Sequence, residues 1–312
     1  MLEPASSVEE HQARAFLIER FGSDAGAVEY IGEGAWSRCF GFTQQGSELV
    51  IRFGRHLEDF QRDRIASRFA SRDLPIPQVI EIDAAFGAWY CISTRAHGKP
   101  WEQLDATEWA TTVWSVLATL DALRNADISA STGYGEWNHE GMAPHGSWRE
   151  FMAAISHDRP ESRFHGWRQR LVASPLGINS FDRAYAAMLE LVDAFPGPRS
   201  LVHNDLLNRN ALATGGRVSA LLDWGCSIYG DFVYELATFA FWSPWHAAIE
   251  QSDMVAMALD HYSDMGLSVP NFDARLRCSA LHIGLAHLAY NAFLGDVANL
   301  RLTAERMTQF LD

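Results

Sequence analysis

The segment from Leu201 to Gly225 constrains this chain more than any other. It runs Leu201-Val-His203-Asn-Asp205-Leu-Leu-Asn-Arg-Asn210, continues through Ala211-Leu-Ala, turns at Gly215-Gly216, returns along Val218-Ser-Ala-Leu-Leu222 and ends on Asp223-Trp224-Gly225. Two short runs joined by Gly-Gly predict a β-hairpin, because glycine accepts the positive φ that a two-residue turn demands. Folding the hairpin back on itself sets Asn210, just before its first strand, beside Asp223, just after its second. An amide oxygen and a carboxylate side by side make a hard-oxygen site suited to Mg²⁺.

The pattern His-x-Asp-x-x-x-x-Asn has the Asp-to-Asn spacing of a protein-kinase catalytic loop, and its residue types fit phosphoryl transfer. That reaction asks for positioning and charge neutralisation: metal ions held by an Asp and an Asn, and a carboxylate that receives the acceptor hydroxyl's proton. Asp205 is the candidate base, Asn210 and Asp223 are the candidate metal ligands, and His203 is expected to brace the loop by hydrogen bonding. The competing reading is a polar loop in which Asp205 caps a turn and Asp223 ends a strand.

The rest of the chain supplies a context for that segment. Ser7-Val-Glu-Glu10 has the form of a capping box opening a helix with Ala13, Phe16, Leu17 and Phe21 on one face. Val28–Ile31, Arg38–Phe42 and Leu49–Phe53 then read as an antiparallel meander. Between its first two strands, Gly32-Glu-Gly34-Ala-Trp-Ser37 would let backbone amides approach a triphosphate, since glycine removes the steric barrier to close contact. Arg52 on the third strand stands where a kinase-like lobe carries a lysine for the α/β-phosphates, and brings a planar fork in place of a point charge. In the charged helix from Glu58 to Ser71, Asp63 is the first choice for its acidic partner, with Glu58 and Asp59 as alternatives. Leu74-Pro-Ile-Pro leads into one strand and Trp89–Ser93 forms the next. Thr94-Arg-Ala-His-Gly98-Lys-Pro100 is a hinge whose backbone from Ser93 to Ala96 would meet an adenine edge, unless it is an ordinary linker. Beyond Trp101 the pattern is helical: Trp114, Leu117, Leu120, Ala122 and Leu123 recur at helical spacing, Asp182–Phe195 repeats it, and the last sixty residues give two further helices including Leu281–Leu294.

Composition narrows the class. A chain of 312 residues can bury one large core or two intimately packed ones. Its net charge of −14, from 39 acidic against 25 basic groups, argues against nucleic acid and suits either solubility or a cationic partner. Cys39, Cys91, Cys226 and Cys278 are widely spaced and read as reduced thiols of a cytoplasmic protein. No zinc-ligand spacing, no signal-peptide pattern and no apolar run near the roughly eighteen residues of a membrane span is present, and no membrane contact is expected.

With these motifs in hand, the chain resembles the aminoglycoside phosphotransferases, small-molecule kinases with a protein-kinase-like fold, and among them the hygromycin B phosphotransferases. The resemblance runs from Phe16 to Leu294 and includes Leu74-Pro-Ile-Pro, Tyr90-Cys-Ile-Ser93, Ser147-Trp-Arg-Glu-Phe151, Leu201-Val-His-Asn-Asp205 and Tyr234-Glu235 with Phe241-Trp-Ser-Pro-Trp245. It implies an α+β, bilobal architecture, with a small antiparallel-sheet lobe over residues 1–97 that binds nucleotide and a larger, mainly helical lobe over 98–312 that carries catalysis and substrate. It implies ATP, or GTP, as donor with Mg²⁺, an aminoglycoside as cationic acceptor, and a monomer. Asp205 would activate the drug hydroxyl and Arg52 would replace the family's lysine. Arg209 departs from what a cationic sugar would favour at its position.

Acidic groups and aromatic faces suit an aminoglycoside. Trp242 and Trp245, three apart, with Glu235 and Asp231 earlier in the same stretch, are the candidate substrate residues, and Glu136, Glu140, Glu250 and Asp253 are further acidic candidates. Core packing of the tryptophans and a structural role for Asp231 are the alternatives. A kinase of a macrolide, choline or homoserine, and a catalytically inactive kinase-like binding module, are the competing functions.

Overall fold

The computed structural model describes residues 8–22 and 25–311. Its N-terminal part begins with α1 (Glu10–Phe21), followed by β1 (Glu29–Glu33), β2 (Ser37–Gln44), β3 (Ser47–Gly54), α2 (Leu57–Ala66), β4 (Val79–Ala85) and β5 (Ala88–Thr94). The five strands form one antiparallel sheet in the order β1-β2-β3-β5-β4. Two of its hairpins turn on only two residues: Gln45-Gly46 at φ 50° and 81°, and Phe86-Gly87 at 53° and 72°. Positive φ at both positions matches the twist of the flanking strands. Ala13 and Leu17 of α1 pack on Phe40, Phe42, Ile51, Phe53 and Tyr90, whereas α2 packs Phe60 against Val79 and Cys91.

The larger part contains β6 (Lys99–Pro100), α3 (Ala106–Arg124), β7 (Gly135–Glu136), α4 (Trp148–Ala153), α5 (Trp167–Ala173), α6 (Asn179–Leu191), β8 (Ser200–Val202), β9 (Ala211–Thr214), β10 (Arg217–Leu221) and β11 (Ile228–Gly230). It closes with α7 (Val233–Trp242), α8 (Ala247–Ser252), α9 (Met254–Asp264), α10 (Phe272–Leu294) and α11 (Val297–Met307). Two small sheets, β10-β9-β6 and β7-β11-β8, complete the strands of this part. The first ties the crossing segment to the catalytic hairpin, with Lys99 opposite Ala213. Gly98 permits that approach, since a Cβ there would lie 2.9 Å from the Ala213 carbonyl oxygen. The bilobal, kinase-like architecture is therefore present, with helices concentrated in the C-terminal part.

Several local expectations are corrected. Ser7 lies outside the described residues, and the capping box of α1 is made by Glu9 and Gln12. Gly32 and Glu33 belong to β1, so the first turn shrinks to Gly34-Ala-Trp36. Trp114 is 66% exposed and lies outside the buried stripe of Trp109, Val113 and Leu117 on α3. The last sixty residues form three helices, α9, α10 and α11, where the pattern suggested two, and Leu281–Leu294 is the C-terminal part of the 23-residue α10.

Asp231 is 1% exposed and paired with Arg275 of α10, at 2.6 Å and 2.8 Å, in a two-pronged geometry. Arg275→Met strands that carboxylate in the core, and an unpaired buried charge costs about 3–5 kcal/mol. Urea denaturation of the variant measures the loss directly. A change below about 1 kcal/mol, the range of an exposed pair, would remove this contact as a support of the fold.

Candidate active site

The catalytic segment leaves β8 at Val202 and is held at each step by groups distant in sequence. His203 is fully buried, and its Nε2 lies 2.9 Å from the Leu222 carbonyl oxygen while its Nδ1 accepts the Asp205 amide at 3.3 Å. Those partners assign the Nε2–H tautomer, and burial, which lowers the pKa to about 4, keeps the ring neutral. His203 thus joins the loop of Asp205 to the strand end that carries Asp223. Asn204, at φ 68°, donates its side-chain amide to the Cys226 carbonyl at 3.0 Å.

The hairpin β9–β10 turns on Gly215-Gly216, at φ 57° and 73°, and Leu222 donates to the Asn210 carbonyl at 2.7 Å. Asn210 and Asp223 therefore flank the same hairpin base. Asn210 gives its amide nitrogen to both the backbone and the carboxylate of Asp205, each at 2.9 Å, which turns its amide oxygen outward. Burial, and then the neighbouring Asp223, push the Asp205 carboxyl up to about 8 against the opposing hydrogen bonds of Asn208 and Asn210. Two neighbouring carboxylates, with the Asn210 amide oxygen beside them, fit a hard divalent cation. Among the described residues no group of three or more His, Cys, Asp or Glu converges on a point. Mg²⁺ here would accordingly complete its shell with phosphate oxygens and water, as is usual for that ion.

The side expected to face the nucleotide is built from β3 and α2. Arg52 is ion-paired to Asp63, whose other oxygen accepts the Trp224 amide at 2.9 Å. One carboxylate thereby connects the sheet, α2 and the residue after Asp223. A Cβ at Gly32 or Gly34 would meet nothing within 4 Å, so packing does not require glycine at either position. Gly34 donates to the Ser37 carbonyl at 2.9 Å, closing the turn. In the hinge, Ser93 lies inside β5 between Val50 and Val79, and the amides of Thr94 and Arg95 bond Gln78 and Glu48 at 3.0 Å each. Ala96 lies past the last of these bonds.

The phosphotransferase enzyme family profile matches residues 28–267. The chain belongs to this family. It is 33% identical over 286 residues to the hygromycin-B 4-O-kinase of Escherichia coli, covering 91% of this chain and 78% of that protein. Among solved structures it superimposes on a thermostable mutant of aminoglycoside phosphotransferase APH(4)-Ia in ternary complex with AMP-PNP and hygromycin B, with a TM-score of 0.83 and 31% identity, over 95% of this chain and 97% of that one. Spectinomycin phosphotransferase APH(9)-Ia shares the fold, with a TM-score of 0.60 at 12% identity, over 98% and 96% of the two chains.

In this phosphotransferase, two of the residues expected at the substrate stand elsewhere. Asp231 is consumed by Arg275, as above. Glu235, 2% exposed on α7, accepts the backbone amides of His203 and, at 3.1 Å, Asn204. It supports the catalytic loop from beneath and is shielded from any acceptor. Trp242 and Trp245 do form a pair, with ring centroids 5.4 Å apart, Trp245 being 43% exposed and Trp242 packed on His287 at 4.5 Å. Of the other acidic candidates, Glu136 is bound by Arg62 at 2.9 Å, and Asp253 caps α9 through the Ala256 amide at 3.2 Å. Arg209 is exposed at φ 63°, its backbone amide taken by Glu102.

Arg62 was not legible as a site residue. It reaches from α2 to the carbonyls of Trp137, at 2.8 Å, and Gly225, and to Glu136, fastening the lobes beside Asp223. In sequence it is one charge among many on a helix, and only its partners, 74 to 163 residues away, distinguish it. Cys226 is exposed and close enough to Asp205, Glu136, Asp223 and Asp59 to feel their charge, while Cys91 and Cys278 are buried.

Glu235 gives this support a pH dependence. Burial raises its carboxyl from 4.5 to about 7, and its second oxygen, buried without a hydrogen-bond partner, is the natural seat of the proton. The native state keeps that proton over a range in which the unfolded chain releases it. Its contribution is therefore full below pH 4.5 and lost as pH rises to about 7, an effect of about 3 kcal/mol. Glu235→Gln, permanently neutral, is expected to lose less stability than the wild type between pH 5 and pH 8. Parallel thermal-denaturation profiles across that range would sink the idea.

Proposed function

We propose that this phosphotransferase moves the γ-phosphoryl group of ATP to a hydroxyl of an aminoglycoside, with hygromycin B as the acceptor, and so inactivates the drug. The observation that carries the reading is the convergence of Asp205, Asn210 and Asp223 at one hairpin base, connected through Trp224 and Asp63 to Arg52. The hygromycin-B 4-O-kinase relative and the APH(4)-Ia complex with AMP-PNP and hygromycin B support donor and acceptor.

Each residue then has a part. The Asp205 carboxylate orients the acceptor hydroxyl and takes its proton as the new P–O bond forms. Asn210 holds that carboxylate by its amide nitrogen and offers its amide oxygen, with Asp223, to Mg²⁺. The cation supplies charge neutralisation on the transferring group. Arg52, fixed by Asp63, faces the α/β-phosphates, the turn around Gly32, Gly34 and Ser37 covers the triphosphate, and backbone near Ala96 meets the adenine. GTP, whose edge presents a different donor pattern, is the weaker donor in this reading. Trp242 and Trp245 offer aromatic surface to the sugar rings, and Glu136, half exposed, offers a carboxylate to an ammonium. A non-catalytic module is not favoured, because Arg52, which stands where the kinase pattern has a lysine, keeps its acidic partner.

The nucleotide lobe ends at residue 97 and the catalytic lobe begins at 98, where the chain crosses into the strand paired with the catalytic hairpin. No helix among the described residues is long and apolar enough to cross a membrane. A monomer working in the cytoplasm, where ATP is available, fits this chemistry.

Coupled ADP release with Mg·ATP and a panel of hygromycin B, other aminoglycosides, a macrolide, choline and homoserine tests the reading. Turnover is expected with hygromycin B, and Asp205→Ala is expected to lower kcat by about 10²–10⁴-fold, the span of a general base, with little change in KM for ATP. Turnover confined to a non-aminoglycoside would overturn the acceptor, and an unchanged kcat in the variant would overturn the base.

A further inference from the structure

Besides the hinge and the crossings made by Asp63 and Arg62, the lobes meet at a further point, and one arginine makes most of it. The loop of residues 157–166 closes on itself through Asp158, whose carboxylate accepts the amides of Gly166 at 2.9 Å and Arg168 at 3.1 Å and lies 3.2 Å from His165 Nδ1. From this braced loop Arg163 extends to α2 of the other lobe. It binds both oxygens of Asp59, at 2.9 Å and 3.1 Å, and Glu58 at 2.8 Å. Its guanidinium carbon also lies 5.4 Å from the ring centroid of Trp36, within the glycine turn. Phe164 stands beside it, 6.3 Å from Trp36 and 5.3 Å and 5.8 Å from Tyr290 and Phe293 of α10.

We propose that Arg163 is a positioning residue for phosphotransfer: it clasps the glycine turn and α2 onto the C-terminal lobe, fixing Trp36 above the triphosphate and neutralising Asp59 beside the metal ligand Asp223. Three observations converge on this role. The fork on Asp59 is bidentate and partly desolvated, the two side chains being 23% and 15% exposed, a setting in which ion pairs hold geometry better than on open surface. Trp36 is the large side chain of a turn whose glycines nothing else packs against, so the guanidinium and Phe164, together with the edge of His56, restrain it. Asp59 and Asp223 approach the same small residue from two sides: a Cβ on Gly225 would lie 3.1 Å from Asp59 Oδ1 and 3.3 Å from Asp223 Oδ1. An unpaired Asp59 would therefore add repulsion to a site already crowded with negative charge, and would compete with Asp223 for its cation.

The inference rests on the phosphotransfer reading for its kinetics but not for its structure, and the test separates the two. Hydrogen exchange of the ligand-free protein is compared for wild type, Arg163→Ala, Arg163→Lys and Glu161→Ala, an exposed neighbour on the same loop. Amides 34–37 and 58–60 are expected to exchange at least about tenfold faster in Arg163→Ala, a loss of about 1.4 kcal/mol of local protection, with an intermediate change in Arg163→Lys and none in Glu161→Ala. In kinetics, Arg163→Ala is expected to raise KM for ATP severalfold and to increase the share of ATP hydrolysed without acceptor. Arg163→Lys, a single point charge unable to fork across both carboxylates, should recover part of each. Unchanged exchange at the turn overturns the clasp whether or not any acceptor is turned over. Accelerated exchange with unchanged KM and hydrolysis overturns its catalytic role. Should Arg163→Ala fail to fold, Trp36→Leu removes the same contact from the other side and is read in the same way. A wild type that transfers no phosphate to any acceptor counts against the function proposed above, while the exchange measurement still decides the clasp.

Discussion

Two carboxylates, Asp205 and Asp223, are held near one another against their own repulsion, and the surrounding architecture is what keeps them there. The Asp205 carboxyl is pushed up to about 8 by burial and by Asp223. A divalent cation held by Asn210 and Asp223 would offset that crowding of negative charge. The loop cannot relax away, because His203 and Asn210 are both fastened to Leu222, while Asn204 is fastened to Glu235 of α7 and to Cys226. Preorganisation here means backbone amides spoken for by distant side chains, with Glu235 accepting two of them.

The same logic extends between the lobes. Arg52–Asp63–Trp224, Arg62 to Glu136 and Gly225, and Arg163 to Asp59 form three polar crossings from the sheet lobe to the helical lobe. All three end near Asp223 or its immediate successors. Apolar burial inside each lobe makes it rigid but says nothing about their relative setting. Directional, charge-assisted contacts do that work at a lower cost to reversibility, because each opens into water that can solvate both partners. A kinase-like cleft must both close on its nucleotide and reopen to release product, and crossings of this type suit both demands.

How much of this was legible depended on whether a contact was local. The catalytic loop, the Gly-Gly hairpin and the strands of the N-terminal sheet follow from spacing within a few residues, and they carry the fold. Asp63 could only be ranked ahead of Glu58 and Asp59 in the sequence, and the structure separates it by placing it on the buried face of α2 with Phe60, three residues earlier, against Arg52. Glu235 and Asp231 misled for the opposite reason. Acidic residues near tryptophans read as exposed contacts for a cation, whereas their burial comes from Arg275, 44 residues on, and from a backbone loop more than thirty residues back. Trp114 erred in the other direction, since helical spacing admits it to a stripe while packing leaves it outside. Periodicity identifies which residues can share a face, and only the partner element decides which face is covered.

The charge balance of the chain acquires a specific meaning around the cleft. Arg52, Arg62 and Arg163 would by themselves make its rim basic, as in a site that binds polyanions. Each is instead paired with an acid, Asp63, Glu136 or Asp59, and among the described residues neither Asp205 nor Asp223 makes an ion pair. The arginines therefore spend their charge on geometry, and the field left in the cleft is that of the unpaired carboxylates. Such a field favours acceptors that bring ammonium groups. An uncharged hydroxylated acceptor would gain nothing from it. Selectivity for a cationic sugar can then arise before any particular ammonium–carboxylate contact is made, from which charges the fold has neutralised and which it has left open.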